Sequence, residues 1–202
     1  MIHKKSVLTG LVVLSMLLLT ACGGASLSSE GNDVSKANWI VPDFTFTNQD
    51  GEPFGLADLK DKVWVADFIF TNCTTVCLPM STNMAELQAK LEEAGVEAPL
   101  ISFTVDPDRD QPDVLKAYGE RYGANFNTWQ FLTGYSFDEI KEFAEGTFKS
   151  PTLKPQEGDD QFTHGVLFYL VKGDQIIKTF NGVVDVPFDA IINDIQVLQK
   201  QL

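Results

Sequence analysis

The stretch V63-W-V-A-D-F-I-F70-T71-N-C73-T-T-V-C77-L-P79 decides how this chain folds. Val63 to Phe70 is apolar apart from Asp67 and rich in valine, isoleucine and aromatics, the composition of a central strand buried on both faces. Two cysteines follow at once. A helix is then predicted from about Pro79 to Ala94, because Met80, Met84, Leu87 and Leu91 recur at helical spacing and Gly95 ends the run. A reactive pair just past the end of a central strand, at a helix start, occupies the usual place for a site in a layered α/β domain.

Outward from this centre the same alternation continues. D43-F-T-F-T-N48 reads as a strand with a turn at Gln49–Gly51, and P99-L-I-S-F-T-V105 as a second buried strand. Pro112 opens a helix to about Tyr122. W129-Q-F-L132 is a short strand, and S136-F-D-E139 has capping-box spacing for a helix to about Phe148. Residues 149–161 read as a loop. G165-V-L-F-Y-L-V171 and Q175-I-I-K-T-F180 flank K172-G-D174 as a hairpin, and Pro187 leads a last amphipathic helix. Strands alternating with helices imply a layered α/β domain.

The first residues have another purpose. M1-I-H-K4-K5 is basic, Val7 to Leu19 is a short apolar run, and L19-T-A-C22 closes it in small residues before a cysteine. This is the pattern of an export signal ending in a bacterial lipobox, which predicts a signal over residues 1–21 and a lipid on Cys22. The Ser- and Gly-rich segment after it reads as a flexible tether over residues 22–37, leaving one domain over 38–202. The chain is expected on the extracytoplasmic side of a bacterial cell membrane, held by lipid. The formal charge of −13 becomes −15 when Lys4 and Lys5 leave with the signal, which argues against nucleic acid as a partner.

Spending Cys22 on lipid leaves Cys73 and Cys77 as a pair in a compartment that permits disulfides. Residues i and i+4 share a helix face, so both sulfurs can be bridged or can share a metal. A helix N-terminus favours thiolate. An inert structural bridge is the weaker reading, since so small a loop constrains the unfolded chain little. His164 is the one histidine beyond the leader. Two thiolates and an imidazole suit copper in either oxidation state, whereas structural zinc usually takes four protein ligands. The other chemistry open to the pair is a reversible, redox-active disulfide, which would not need His164. If His164 joins the cysteines, a parallel neighbouring strand is the expected carrier.

The chain resembles the Sco/SenC family of copper chaperones over about Asp43 to the C-terminus. The resemblance rests on F70-T71-x-C73-x-x-x-C77, on T104-V-D106-P107-D-R109-D110, and on His164 followed by a strand and K172-G-D174. It implies a thioredoxin-like fold with a central mixed sheet flanked by helices. It implies copper on Cys73, Cys77 and His164, and a role in assembling the dinuclear CuA centre of cytochrome c oxidase subunit II. That role is copper delivery, reduction of the recipient's cysteines, or both. Two positions depart from the family pattern: Thr74 and Leu78 stand where proline often follows each cysteine, and Thr163 where aspartate often precedes the histidine. By resemblance to thioredoxins, Asp67 is either a buried acid that holds a proton for the thiols or an exposed residue on a strand end. Two rival functions share the fold. One is a membrane-tethered thiol–disulfide oxidoreductase, acting on the oxidase subunit or other exported proteins. The other, a peroxide-reducing enzyme, lacks the expected P-x-x-x-T-x-x-C pattern.

Overall fold

Val63–Ile69 forms the fourth strand, β4, and every residue in it is buried. The computed structural model describes residues 26–75 and 77–202; the lipobox, Cys22 and the proposed signal lie outside the described residues. Eight strands make one sheet: β1 (Asn32–Asp33), β2 (Thr45–Asn48), β3 (Pro53–Gly55), β4, β5 (Leu100–Thr104), β6 (Trp129–Thr133), β7 (Leu167–Lys172) and β8 (Gln175–Asn181). Their spatial order is β1-β8-β7-β4-β5-β6-β2-β3. β4, β5 and β6 run parallel, while β7 and β8 on one side and β2 and β3 on the other run antiparallel. The helices are α1 (Cys77–Glu93), α2 (Pro112–Arg121), α3 (Phe137–Phe143) and α4 (Phe188–Gln199).

Strand alternation divides the apolar residues between two cores. Val63, Val65 and Ile69 of β4 face a cluster with Met80, Met84 and Leu87 of α1, Leu115 of α2 and Ile191 and Ile195 of α4. Trp64, Ala66, Phe68 and Phe70 face the other way, into a cluster with Phe103, Ile140 and Phe148. Cys73 and Cys77 belong to that second cluster. The sheet is therefore covered on both faces, which is why its central strands read as unbroken apolar runs.

Local details follow residue chemistry. α1 starts at Cys77, two residues before the expected Pro79. The first N–H groups of a helix have no intrahelical partner, so a proline in the first turn removes no helical bond. Ser136 Oγ accepts from the Glu139 amide at 3.2 Å while Glu139 Oε2 accepts from the Ser136 amide at 2.7 Å, the reciprocal cap read from sequence. The helix predicted to run on to Phe148 instead widens into a π-helical turn over Ala144–Phe148. Gly173, at φ +59° in the β7–β8 turn, sits where an added Cβ would meet Lys60 O at 2.8 Å.

The packed structure also reaches back beyond residue 38. Asn32 and Asp33 pair with Thr179 and Lys178 of β8, and Val34 is buried. Ser28 is held by a buried ion pair: Lys178 Nζ lies 2.7 Å from Asp194 Oδ2, donates to Ser28 O at 2.9 Å, and the Ser28 amide donates to Asp194 Oδ1 at 2.5 Å. Residues 28–37, expected as part of a tether, are therefore docked on the domain. Among the described residues no helix is long and apolar enough to cross a membrane.

Candidate metal centre

β4 ends in the core, and the chain turns immediately so that the Cys73 amide donates to Phe70 O at 3.3 Å. That turn is fixed by Asp110, fully buried at the end of the T104-V-D-P-D-R-D110 segment. Its carboxylate accepts from the Thr71 amide at 3.0 Å, from Thr71 Oγ1 at 2.5 Å and from Thr104 Oγ1. The second motif thus serves the first: it anchors the loop that presents Cys73. Burial raises the Asp110 pKa, and its three hydrogen bonds offset part of that rise.

Cys77 opens α1 and is fully buried; Cys73 and His164 are each 7 % exposed. Both cysteines are free thiols. The Cys73 sulfur accepts the Cys77 amide N–H at 3.3 Å. The predicted trio does come together: Cys73 Sγ, Cys77 Sγ and a His164 ring nitrogen all lie within 4.8 Å of one another.

His164 arrives by a route different from the expected one. β7 is antiparallel to β4, with Val63 opposite Lys172 and Ala66 opposite Tyr169. The start of an antiparallel neighbour lies beside the end of β4, where a parallel neighbour would begin at the opposite edge. His164 Nδ1 lies 2.9 Å from Gly165 O, and a carbonyl can only accept, so Nδ1 carries the proton. Nε2 is left with its lone pair, 2.8 Å from Cys77 Sγ. A backbone contact that fixes the tautomer and aims the other nitrogen is the usual preparation of a histidine for metal. Gly165 allows the close approach behind it: its amide donates to Ser150 Oγ at 3.0 Å, and an added Cβ would meet that oxygen at 2.5 Å. Phe70 packs edge-on to the imidazole, with centroids 5.8 Å apart.

The two thiols are inequivalent. The Cys77 side chain, hydrogen-bonded to Cys73, with smaller help from His164 and nearby backbone amides, brings the Cys73 pKa down to about 3. Burial drives the Cys77 pKa strongly up, and the neighbouring Cys73 sulfur adds to that rise. The two thiols are thus driven apart in acidity, Cys73 downward and Cys77 upward.

Asp67 is completely buried, on the α1 face of the sheet opposite Ser102 of β5. Ser102 Oγ donates to its Oδ1 at 2.6 Å and in turn accepts from Trp129 Nε1 at 2.9 Å. Oδ2 has no hydrogen-bond partner among the described residues. Burial raises the Asp67 pKa to about 7, against the pull of Ser102 and His164. Of the two placements open from the sequence, the buried one is found.

Sequence reasoning missed the residues that tie the loops together. Gln161 Oε1 accepts from the Thr74 amide at 3.1 Å and from Thr74 Oγ1 at 3.2 Å, while Gln161 Nε2 donates to Asn72 O at 3.1 Å. Asn72 Nδ2 donates to Asp160 Oδ2 at 2.6 Å, and Arg109 Nη1 lies 4.0 Å from the same oxygen. One signal pointed here without being read: Thr74 has an N–H to give, and a proline at that position would not.

Two soft sulfur donors and an imidazole nitrogen, converging from three buried side chains with the tautomer already set, fit a thiophilic ion such as copper. The sequence pattern of the SCO1/SenC family matches residues 32–199. The SCO1 protein homolog of Bacillus subtilis (strain 168) is 46 % identical over 193 residues, covering 95 % of each chain. The crystal structure of a SCO1/SenC family lipoprotein from Bacillus anthracis str. Ames is 43 % identical with a TM-score of 0.78, covering 86 % of this chain and 99 % of that one. BsSco, described with a disulfide switch and as a member of the Sco family of cytochrome c oxidase assembly proteins, is 46 % identical with a TM-score of 0.75 over 82 % of this chain and 96 % of its own. Yeast Sco1 with copper bound shares the fold at a TM-score of 0.63 and 24 % identity, over 78 % of this chain and 88 % of its own. The fold is thioredoxin-like, a mixed sheet flanked by helices, and with a match running from β1 to the end of α4 the chain belongs to the SCO1/SenC family.

Proposed function

We propose that this chain carries copper as cargo on Cys73, Cys77 and His164 and delivers it during assembly of the CuA centre in cytochrome c oxidase subunit II. The observation that carries the reading is the convergence of two sulfurs and a ring nitrogen within 4.8 Å, on three separate segments and almost without solvent contact. Cys73 and Cys77 supply the thiolates and His164 Nε2 the imidazole donor. Three ligands leave room for an incoming ligand from a recipient, which suits transfer. The signal over residues 1–21 and a lipid on Cys22 would place the domain on the outer face of the cell membrane, where the recipient cysteines also lie.

The test is titration of residues 26–202 with Cu(I) and Cu(II) after full reduction, wild type beside His164→Ala. Tight one-to-one binding that weakens at least tenfold in the variant supports the three-ligand site. Binding indifferent to His164 removes it.

A second reading has its own support, the unequal thiols. A Cys73 thiolate attacks a disulfide in a partner, forming a mixed disulfide and expelling one partner thiolate. Cys77, once deprotonated, then attacks Cys73 Sγ, closing the 73–77 disulfide and releasing the second partner thiol; two electrons pass to the partner. Cys77→Ser would arrest this reaction at the mixed disulfide. Failure to trap any mixed disulfide with an oxidised acceptor would sink it.

A further inference from the structure

His164 closes an arm, residues 149–163, that passes over the Cys73 loop before β7 begins. Cys73 and Cys77 are set by β4 and α1, which are locked into the two cores. The arm is held differently. Leu153 and Thr163 bond each other through both amides, at 3.1 and 3.0 Å, but that bridge lies within the arm. Phe162 packs on Phe70 with centroids 5.6 Å apart. At its far end the Thr152 amide donates to Glu145 Oε1 at 3.1 Å, which ties it to the π-helical turn and not to the cysteines. Among the described residues, the hydrogen bonds that join the arm to the Cys73 loop come from Asp160 and Gln161 alone.

Gln161 is well matched to this task. Its carbonyl oxygen accepts two bonds from Thr74 while its amide nitrogen donates to Asn72 O, so one side chain grips the residues on both sides of Cys73. Asp160 holds the Asn72 side chain at 2.6 Å. Three of these bonds are exposed and the fourth, to Asn72 O, is partly buried, so water competes and opening is cheap.

We propose that Gln161 is a positioning residue for the metal centre: a clasp that keeps the His164 arm closed over Cys73 and whose release sets how fast copper leaves. The inference rests on the copper reading above for its cargo, but not for its geometry. With the clasp shut, Nε2 stays at the sulfurs and Cys73 is covered. With it open, the arm lifts with His164, and the cysteines remain on their rigid supports for a recipient to approach.

The experiment uses the full-length chain carrying Cys22→Ser, purified in detergent, with Gln161→Ala and Gln161→Glu beside the parent. Two rates are read: alkylation of Cys73 by iodoacetamide in the reduced, metal-free protein, and loss of Cu(I) to a competing chelator. Gln161→Ala should raise both about tenfold, or about 1.4 kcal/mol, with a loss of stability to urea no larger than that. Gln161→Glu retains the two acceptor bonds to Thr74 and loses the donor bond to Asn72, so it should fall between alanine and the parent. Rates within twofold of the parent in Gln161→Ala would overturn the proposal. So would faster alkylation with unchanged copper loss, because the side chain would then shield a thiol without holding the metal set. If the parent takes no copper, the copper reading fails by itself, and the alkylation rates alone uphold or reject the clasp.

Discussion

Replacing Asp67 with asparagine should make the folded protein more resistant to urea in alkali than in acid, relative to wild type. Asp67 is wholly buried, one carboxylate oxygen has no partner, and its pKa stands at about 7 against 3.8 for an ordinary aspartate. The folded state therefore keeps a proton that the unfolded chain has already lost between those two values. Stability falls as pH rises through that window, in total by ~4 kcal/mol for about three pKa units. A carboxamide cannot ionise, so Asp67→Asn escapes the loss. Its amide oxygen can still accept from Ser102, and any cost of seating the amide nitrogen is independent of pH and cancels from the comparison. Between about pH 5 and pH 8.5 the gap between variant and wild type should move by ~3 kcal/mol in favour of the variant. Urea unfolding of reduced residues 26–202, followed by far-ultraviolet circular dichroism at both pH values, measures it. Titrating groups that do not interact with Asp67 act alike on both proteins. A gap that moves by less than ~1 kcal/mol would show that the carboxylate is ionised in the folded state and that the burial argument fails.

Other outcomes follow from single contacts. His164→Ala should leave the urea midpoint nearly unchanged while copper affinity drops at least tenfold, measured by competition with a chromophoric chelator. Asp110→Ala strips the acceptor from a buried backbone amide and two hydroxyls, and should cost ~3 kcal/mol in urea unfolding; Asp110→Asn, which retains an acceptor, should recover more than half. Lys178→Ala leaves Asp194 buried without its cation and should cost ~3–5 kcal/mol. That same change should expose the bond after Ser28 to proteolysis, read by mass spectrometry.

The centre of the molecule was legible because its residues report their own surroundings. Val63–Phe70 had one reading, a strand buried on both faces; the cysteines after it meet although Cys73 lies in the turn before α1, through the Cys77 amide on the Cys73 sulfur and not through a shared helix face. The helical stripe of Met80, Met84, Leu87 and Leu91 led to α1, although Pro79 hid its first two residues. His164 stood out as a residue type, but its approach depends on strand direction, which a strand's own sequence does not encode. The docking of residues 28–37 was hidden for a similar reason: a Ser-rich stretch resembles a tether, and the Lys178–Asp194 pair that captures Ser28 is assembled from segments 150 and 166 positions away. Lys178 itself, set among Ile176, Ile177 and Phe180, was the signal that a buried partner existed. Gln161 carried no signal, since a glutamine in a polar loop is ordinary until its neighbours are known.

The capture of Ser28 has a mechanical consequence. If Cys22 carries the proposed lipid, only six peptide units would separate membrane from folded domain, a leash of ~20 Å at full stretch. A chain free through residue 37 would give ~50 Å. Shortening the leash to two fifths would raise the domain's effective concentration toward a membrane-bound recipient about fourfold, by the −3/2 power of linker length. On that proposal one buried ion pair would confine the domain to a shallow zone above the lipid surface, and severing it would lengthen the leash without touching a residue of the metal centre.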